Sequence, residues 1–326
     1  MPPTSLLVVG SLAFDTLETP SGHAADELGG SATFFSHSAA WLAPKVRLVG
    51  VVGSDFPKRH ITEFEERGID VSGLQVMPKG KTFRWHGRYG REMNNAETVS
   101  VELNVFGKFE PKIPTAFRNS PFVFLANGSP ATQRAVLNQV DRPKFILADT
   151  MNLWIETAHA ALISLIRDVD GLILNNAELL QLSGEPNVVA GARWALAQGP
   201  KVVVVKKGEH GSMLFTEKEI FALPAYPLER IVDPTGAGDS FAGGFMGHLA
   251  RAGSTTFEEM KRALVYGTVL ASFACEDFGL RRLFSLNEGE IEKRAREYCR
   301  VFSVDLGSAR RPARSIPRRR ATAVRK

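Results

Sequence analysis

Cysteine is nearly absent: Cys275 and Cys299 are the only two in 326 residues, too few for a disulfide framework. Long apolar runs are missing too. No stretch reaches the length of a membrane span, and the N-terminus lacks the basic-then-apolar pattern of a signal peptide. The seven histidines (His23, His37, His60, His86, His159, His210 and His248) show no spacing that suits a transition metal. These absences predict a cytoplasmic chain with no membrane partner. One segment combines a dense run of basic residues with no acid at all. Between Ala309 and Lys326 stand Arg310, Arg311, Arg314, Arg318, Arg319, Arg320, Arg325 and Lys326, with Pro312 and Pro317 and no Asp or Glu. Taking those eight charges from the net +5 leaves a mildly acidic body of −3. Residues 309–326 therefore read as a solvated, disordered basic tail. It lacks the interleaved aromatics that stack on bases, so no specific nucleic-acid partner is expected.

What remains, residues 1–308, is 300-odd residues of ordinary globular composition, in a chain 44% hydrophobic and 23% charged. Short apolar runs at Leu6–Gly10, Val46–Gly53, Phe122–Asn127, Phe145–Asp149, Gly171–Asn175 and Val202–Lys206 read as buried strands. Helical patterns at Ala32–Leu42, Ile61–Arg67, Ala131–Gln139, His159–Arg167 and Val188–Ala197 separate them. That alternation predicts an α/β fold with a parallel sheet covered on both faces. Lys81–Gly90 and Ala96–Phe106 instead alternate apolar and polar residues about a polar turn, a hairpin pattern with a half-exposed face. Near the C-terminal end, Thr255-x-x-Glu258 and Thr256-x-x-Glu259 are candidate capping boxes for a long helix to about Cys275.

The densest chemistry lies in Asp233-Pro234-Thr235-Gly236-Ala237-Gly238-Asp239-Ser240-Phe241. Gly236 and Gly238 can take φ > 0 and bring backbone N–H groups to a ligand. Phe241, Phe245 and Leu249 follow at spacings of four, the stripe of a buried helix. A glycine turn opening a helix is an anion site, since unpaired N–H groups and the helix dipole both face the charge. Asp239 then stands where a carboxylate can take the proton of an attacking hydroxyl. The physical reading is phosphoryl transfer to an alcohol. Rival readings fit less well. A dinucleotide fingerprint would need Gly or Ala where Phe241 stands, and an esterase elbow lacks its usual partner, because no histidine has Asp three residues before it.

The segment D-x-T-G-A-G-D-x-F resembles the C-terminal signature of the ribokinase-like (PfkB) carbohydrate kinases, a family that includes nucleoside kinases. Pro234 stands where Thr is commoner. The resemblance implies a three-layer α/β/α sandwich with a mainly parallel central sheet and a small β-sheet lid, here about residues 81–110. Edge strands of such a lid would either cover a ligand or pair with a second subunit as a homodimer. It also implies Asp239 as the base and Gly236, Ala237 and Gly238 as the hole for the transferring phosphoryl group.

Further motifs match in order along residues 5–305. Asp15, beyond the first strand, matches the Asp that accepts hydrogen bonds from substrate hydroxyls. By itself a loop Asp is commonly a turn residue. Gly29, Gly30 and Ser31 match the N-terminal Gly-Gly motif of the substrate site. Phe34 stands where the family often has Asn, and either stacks on a base or packs in a helix core. Asn175 and Glu178 match an N-x-x-E motif that organises Mg²⁺, its waters and the phosphates. The bland reading is a Glu in the first turn of a helix. Lys206 and Gly208 fall on the nucleotide side, and Thr268 on the adenine wall. Asp233, the carbonyl of Thr235 and Gly279 match a monovalent-cation site present in part of the family, which would take K⁺. Taken together, the resemblance implies an ATP- and Mg²⁺-dependent kinase acting on a hydroxyl of a small sugar. The alternatives are a nucleoside kinase and, more remotely, a noncatalytic sugar- or nucleotide-binding relative.

Overall fold

The structure, a computed structural model, describes residues 4–94 and 96–303; the basic tail at 309–326 lies outside them. In chain order the elements are β1 Ser5–Val9, β2 Ala13–Thr19, β3 Gly22–Gly29, α1 Ser31–Ala39, β4 Lys45–Val52, α2 Lys58–Glu66, β5 Ile69–Val76, β6 Phe83–Tyr89, β7 Ala96–Glu102, β8 Phe122–Leu125, α3 Pro130–Leu137 and β9 Phe145–Asp149. They continue as α4 Asn152–Thr157, α5 His159–Ile166, β10 Gly171–Asn175, α6 Asn176–Ser183, α7 Val188–Ala197, β11 Val202–Lys206, β12 Ser212–Phe215, β13 Ile220–Leu223, α8 Ala237–Ala252, α9 Phe257–Ala274, α10 Arg281–Ser285 and α11 Glu288–Val301.

Nine strands form the main sheet, in the order β13-β12-β11-β10-β9-β8-β1-β4-β5. The seven from β11 to β5 run parallel, while β12 pairs antiparallel with β11 and β13 antiparallel with β12. Alternation within β1 divides the core. Leu6 and Val8 pack toward one helical layer with residues of α1, α8 and α9, while Leu7 and Val9 pack toward the other with residues of α3, α5 and α7. The result is three layers, as strand–helix alternation requires. The strand order reverses between β1 and β8, and open α/β sheets bind ligands outside the carboxyl ends of their strands near such a point. Among the described residues no helix is long and apolar enough to cross a membrane.

The smaller sheet has the order β3-β2-β6-β7. It is wider than the 81–110 hairpin that its sequence pattern suggests, because the β2–β3 hairpin joins it through parallel pairing of β2 with β6. Asp15 is thus a strand residue, directly beside Glu27 on one flank and Trp85 on the other. Of the two candidate capping boxes, the Thr256 hydroxyl accepts from the Glu259 N–H and starts α9.

Candidate active site

The turn at 233–238 is fixed from two sides. The buried Asp233 carboxylate accepts from the Thr235 N–H at 2.9 Å and from the Gly279 N–H at 3.1 Å, so it clasps the turn to the loop beyond α9. Gly236 has φ +72 and precedes α8; a Cβ there would meet the Phe34 ring at 2.3 Å, so glycine is required. Gly238 departs from expectation. It lies inside α8 with ordinary helical φ, and its smallness leaves room for Lys206, whose Nζ is 3.3 Å from where a Cβ would stand. Ala237 departs as well: its N–H donates to the Pro234 carbonyl at 3.1 Å. The first-turn amides beyond it, on Gly238 and Asp239, are those with no carbonyl a turn earlier to bond.

Phe34 is corrected by the structure. It is 1% exposed and forms the floor beneath Gly236, so core packing, not a base, takes its ring. Gly29 lies under Asp15, where a Cβ would come within 1.9 Å of Oδ2. Gly30, at φ +94, opens α1. Ser31 is buried, with its hydroxyl 3.0 Å from that of Ser11.

The carboxyl ends of three neighbouring strands, with the helix that follows one of them, supply a charged cluster. Lys206, at the end of β11, pairs with Asp149, at the end of β9, at 3.0 Å; Asp149 is buried and Lys206 partly buried. Asp149 has no sequence motif and escaped the reading above, although an acid ending a parallel strand is the same signal that singled out Asp15. Asn175 and Glu178 form a full capping box: the Asn175 Oδ1 accepts from the Glu178 N–H at 2.8 Å, and Glu178 Oε2 accepts from the Asn175 N–H at 2.7 Å. Their spacing therefore has a structural use at the start of α6. The Glu178 carboxylate still belongs to the cluster, because burial and Asp149 push its pKa up while Lys206 opposes them.

Electrostatics tie the rest together. Burial, then Asp149 and Glu178, raises Asp239 to about 7 against the pull of Lys206. Burial works against the Lys206 charge, yet Asp149, Glu178 and Asp239 prevail and raise its pKa. Burial, then Asp233 and Asp239, raises Asp15 to about 8, with the Gly30 N–H opposing. Asp15 and Asp239 thus share one field although 224 residues of sequence separate them. Three acids around one lysine leave negative charge uncompensated, an environment suited to a hydrated divalent cation. Among the described residues no group of three or more His, Cys, Asp or Glu could hold a metal unaided. Mg²⁺ keeps its waters and leans on phosphate oxygens, so it needs few protein ligands. Gly208, at φ +54, lies in the loop after β11, and Thr268 is buried on α9, where none of these contacts reaches it.

Known proteins resemble the chain along most of its length. The model of the pfkB family carbohydrate kinases matches residues 4–285. The cytidine kinase of Thermococcus kodakarensis is 32% identical over 252 residues, covering 76% of this chain and 88% of that protein. A nucleoside kinase of Methanothermobacter thermautotrophicus is 26% identical over 303 residues, covering 89% and 94%. Among solved structures, an E. coli protein assigned as a ribokinase II, in complex with ATP and Mg²⁺, superposes with a TM-score of 0.76 at 20% identity, covering 90% of this chain and 99% of that one.

Proposed function

Because the chain belongs to the pfkB family carbohydrate kinases, and is thus a kinase with a ribokinase-like fold, we propose that it transfers the γ-phosphoryl group of ATP to a hydroxyl of a nucleoside. Asp239 takes the hydroxyl proton. The first-turn amides of α8 and the Lys206 ammonium receive the charge of the transferring group. Lys206 is held for this by Asp149, and Asp239 by the Gly236 turn. Glu178, with Asp149 beside it, would hold Mg²⁺ through its waters, which would offset the charge on the phosphates. Asp15 accepts from substrate hydroxyls above Gly29 and Gly30, and the smaller sheet covers them as a lid. For K⁺, the oxygens of Asp233 already accept from Thr235 and Gly279, so a cation there would have to share them.

The observation that carries the nucleoside reading is Trp85. It is the cross-strand neighbour of Asp15 on the same face of the smaller sheet. Its indole lies along the strand over Gly87, where a Cβ would come within 2.0 Å of the ring, and its Nε1 donates to the Thr98 hydroxyl on β7 at 3.3 Å. An aromatic plane beside a hydroxyl-binding carboxylate suits a base attached to a ribose. The two relatives named as cytidine and nucleoside kinases support the same reading. A small sugar is the second reading, since Asp15, Gly29 and Gly30 serve a ribose or a free sugar alike.

A panel of nucleosides and free sugars, followed by ADP release, separates them. We expect nucleosides to be preferred. Trp85→Ala should lower kcat/KM for them by roughly 5- to 150-fold, the range of about 1–3 kcal/mol for stacking one base, and spare residual turnover of free sugar. Preference for a free sugar, or an unaltered nucleoside kcat/KM in Trp85→Ala, would defeat the nucleoside reading.

A further inference from the structure

The smaller sheet touches the transfer machinery itself. Tyr89 is the last residue of β6 and lies two residues beyond Gly87 and four beyond Trp85, on the face that also carries Asp15. Its phenolic oxygen accepts from the Thr235 hydroxyl at 3.0 Å. Thr235 is the residue before Gly236, and its N–H is the one bound by Asp233. One hydrogen bond therefore joins the sheet to the turn that shapes the anion hole. Burial, and then the charges of Asp233 and Asp15, push the Tyr89 pKa up, so the phenol stays neutral at any working pH.

A second contact lies farther along the same hairpin. Asn94, in the turn between β6 and β7, donates through Nδ2 to Glu209 Oε1 at 3.1 Å. Its Oδ1 lies 3.1 Å from where a Cβ on Gly208 would stand. The hairpin thus runs from Asp15 on the substrate side, past Thr235 at the hole, to the loop that follows Lys206.

We propose that Tyr89 is a positioning residue for phosphoryl transfer, latching the β6–β7 hairpin to the 233–238 turn through Thr235. The proposal rests on the assignment of that turn and Asp239 to the reacting centre. With the latch made, Gly236 is braced by Asp233 from below and by the hairpin from above, and water is kept from the hole. With it broken, the acceptor still binds at Asp15, but the hole and the acceptor are no longer held in register, and water competes for the phosphoryl group.

The test uses Tyr89→Phe, Thr235→Val and the double variant in the full chain. Each single change removes one side of the same hydrogen bond and keeps the shape. We expect each to lower kcat on the acceptor by about two- to tenfold, the range for one neutral hydrogen bond, with KM for ATP within twofold. The ratio of ATP hydrolysis to acceptor phosphorylation should rise in both. The double variant should be no worse than either single one, the signature of a shared contact. Hydrogen exchange, read without any acceptor, should show faster exchange across residues 83–94 in all three. Effects that add fully in the double variant, or exchange identical to wild type, would overturn the latch. Asp239→Asn in the same assay judges the other assignment: retained turnover would remove Asp239 as base, while the exchange data still decide on Tyr89.

Discussion

Asp15 illustrates how one side chain sets function against stability. It is 5% exposed, and burial beside Asp233 and Asp239 raises it to about 8 from an ordinary 3.8. Between those values the folded chain holds a proton that the unfolded chain has released. The stability contribution of that proton is complete below pH 3.8 and is lost as pH rises through about 8. Asp15→Asn removes the ionisation and keeps the shape. Its melting temperature should therefore exceed that of wild type by an amount that grows from pH 5 to pH 8.5, reaching a few degrees. Assayed at pH 8.5, where Asp15 is ionised, the same variant should lose tenfold or more in kcat/KM, since a charge-assisted hydrogen bond contributes about 1.5–3 kcal/mol. A melting difference that stays constant across this pH range would show that the carboxyl is not strained by burial. The residues at this scale were unevenly legible. Asp239 and its glycines stand together in one motif, so the sequence discloses them. Asp149 and Tyr89 do not, because their roles arise from Lys206 and Thr235, which are 57 and 146 residues away.

Elements were legible wherever the neighbours in sequence decide the structure. Val188–Ala197 has the same bounds in the pattern and in the structure, because an Asn187 cap and an apolar stripe specify it locally. β2 and β3 escaped because their polar runs, AFDTLET and GHAADELG, become strands only through pairing with each other and with β6, some 70 residues away. Helix α1 hides a different surprise: every one of its residues is buried, including His37 at 1% exposure. The His37 ring stacks on Phe64 at 4.8 Å and meets Phe284 edge-on at 4.7 Å. Burial, with Arg67 and His60 adding to it, lowers its pKa to about 3. The folded chain refuses a proton that the unfolded chain accepts below about 6.5, so this group removes stability as pH falls from 6.5 toward 3. His37→Leu should flatten the acid side of the stability profile between pH 6.5 and 4, whatever it does to the baseline at pH 7. Parallel acid limbs in urea titrations of the variant and wild type would contradict the buried neutral ring.

At the scale of the whole molecule, the two sheets have unequal protection. The main sheet is clothed in helices on both faces, whereas β7 is an edge of the smaller sheet. β7 carries Val99 at 42% and Val101 at 54% exposure, with Val99 at an irregularity in its pairing with β6, and Leu103 follows at 39%. An edge strand with free backbone groups and exposed apolar side chains invites pairing with another strand. Its outward polar neighbours, Glu97 and Glu102, stand at the two ends and leave the centre uncharged. A second copy of the chain, meeting β7 edge to edge, would bury those valines and brace the hairpin that carries Trp85, Tyr89 and Asn94. The lid and the subunit contact would then be two uses of one strand pair, and dimerisation would aid catalysis. We expect the wild-type chain to be a dimer by light scattering at micromolar concentration. Val99→Lys with Val101→Lys, placing two like charges against their own copies, should yield a folded monomer with reduced kcat and near-normal nucleotide affinity. A monomeric wild type, or a double-lysine variant that remains dimeric, would remove β7 as the contact and leave its exposed valines to the lid alone.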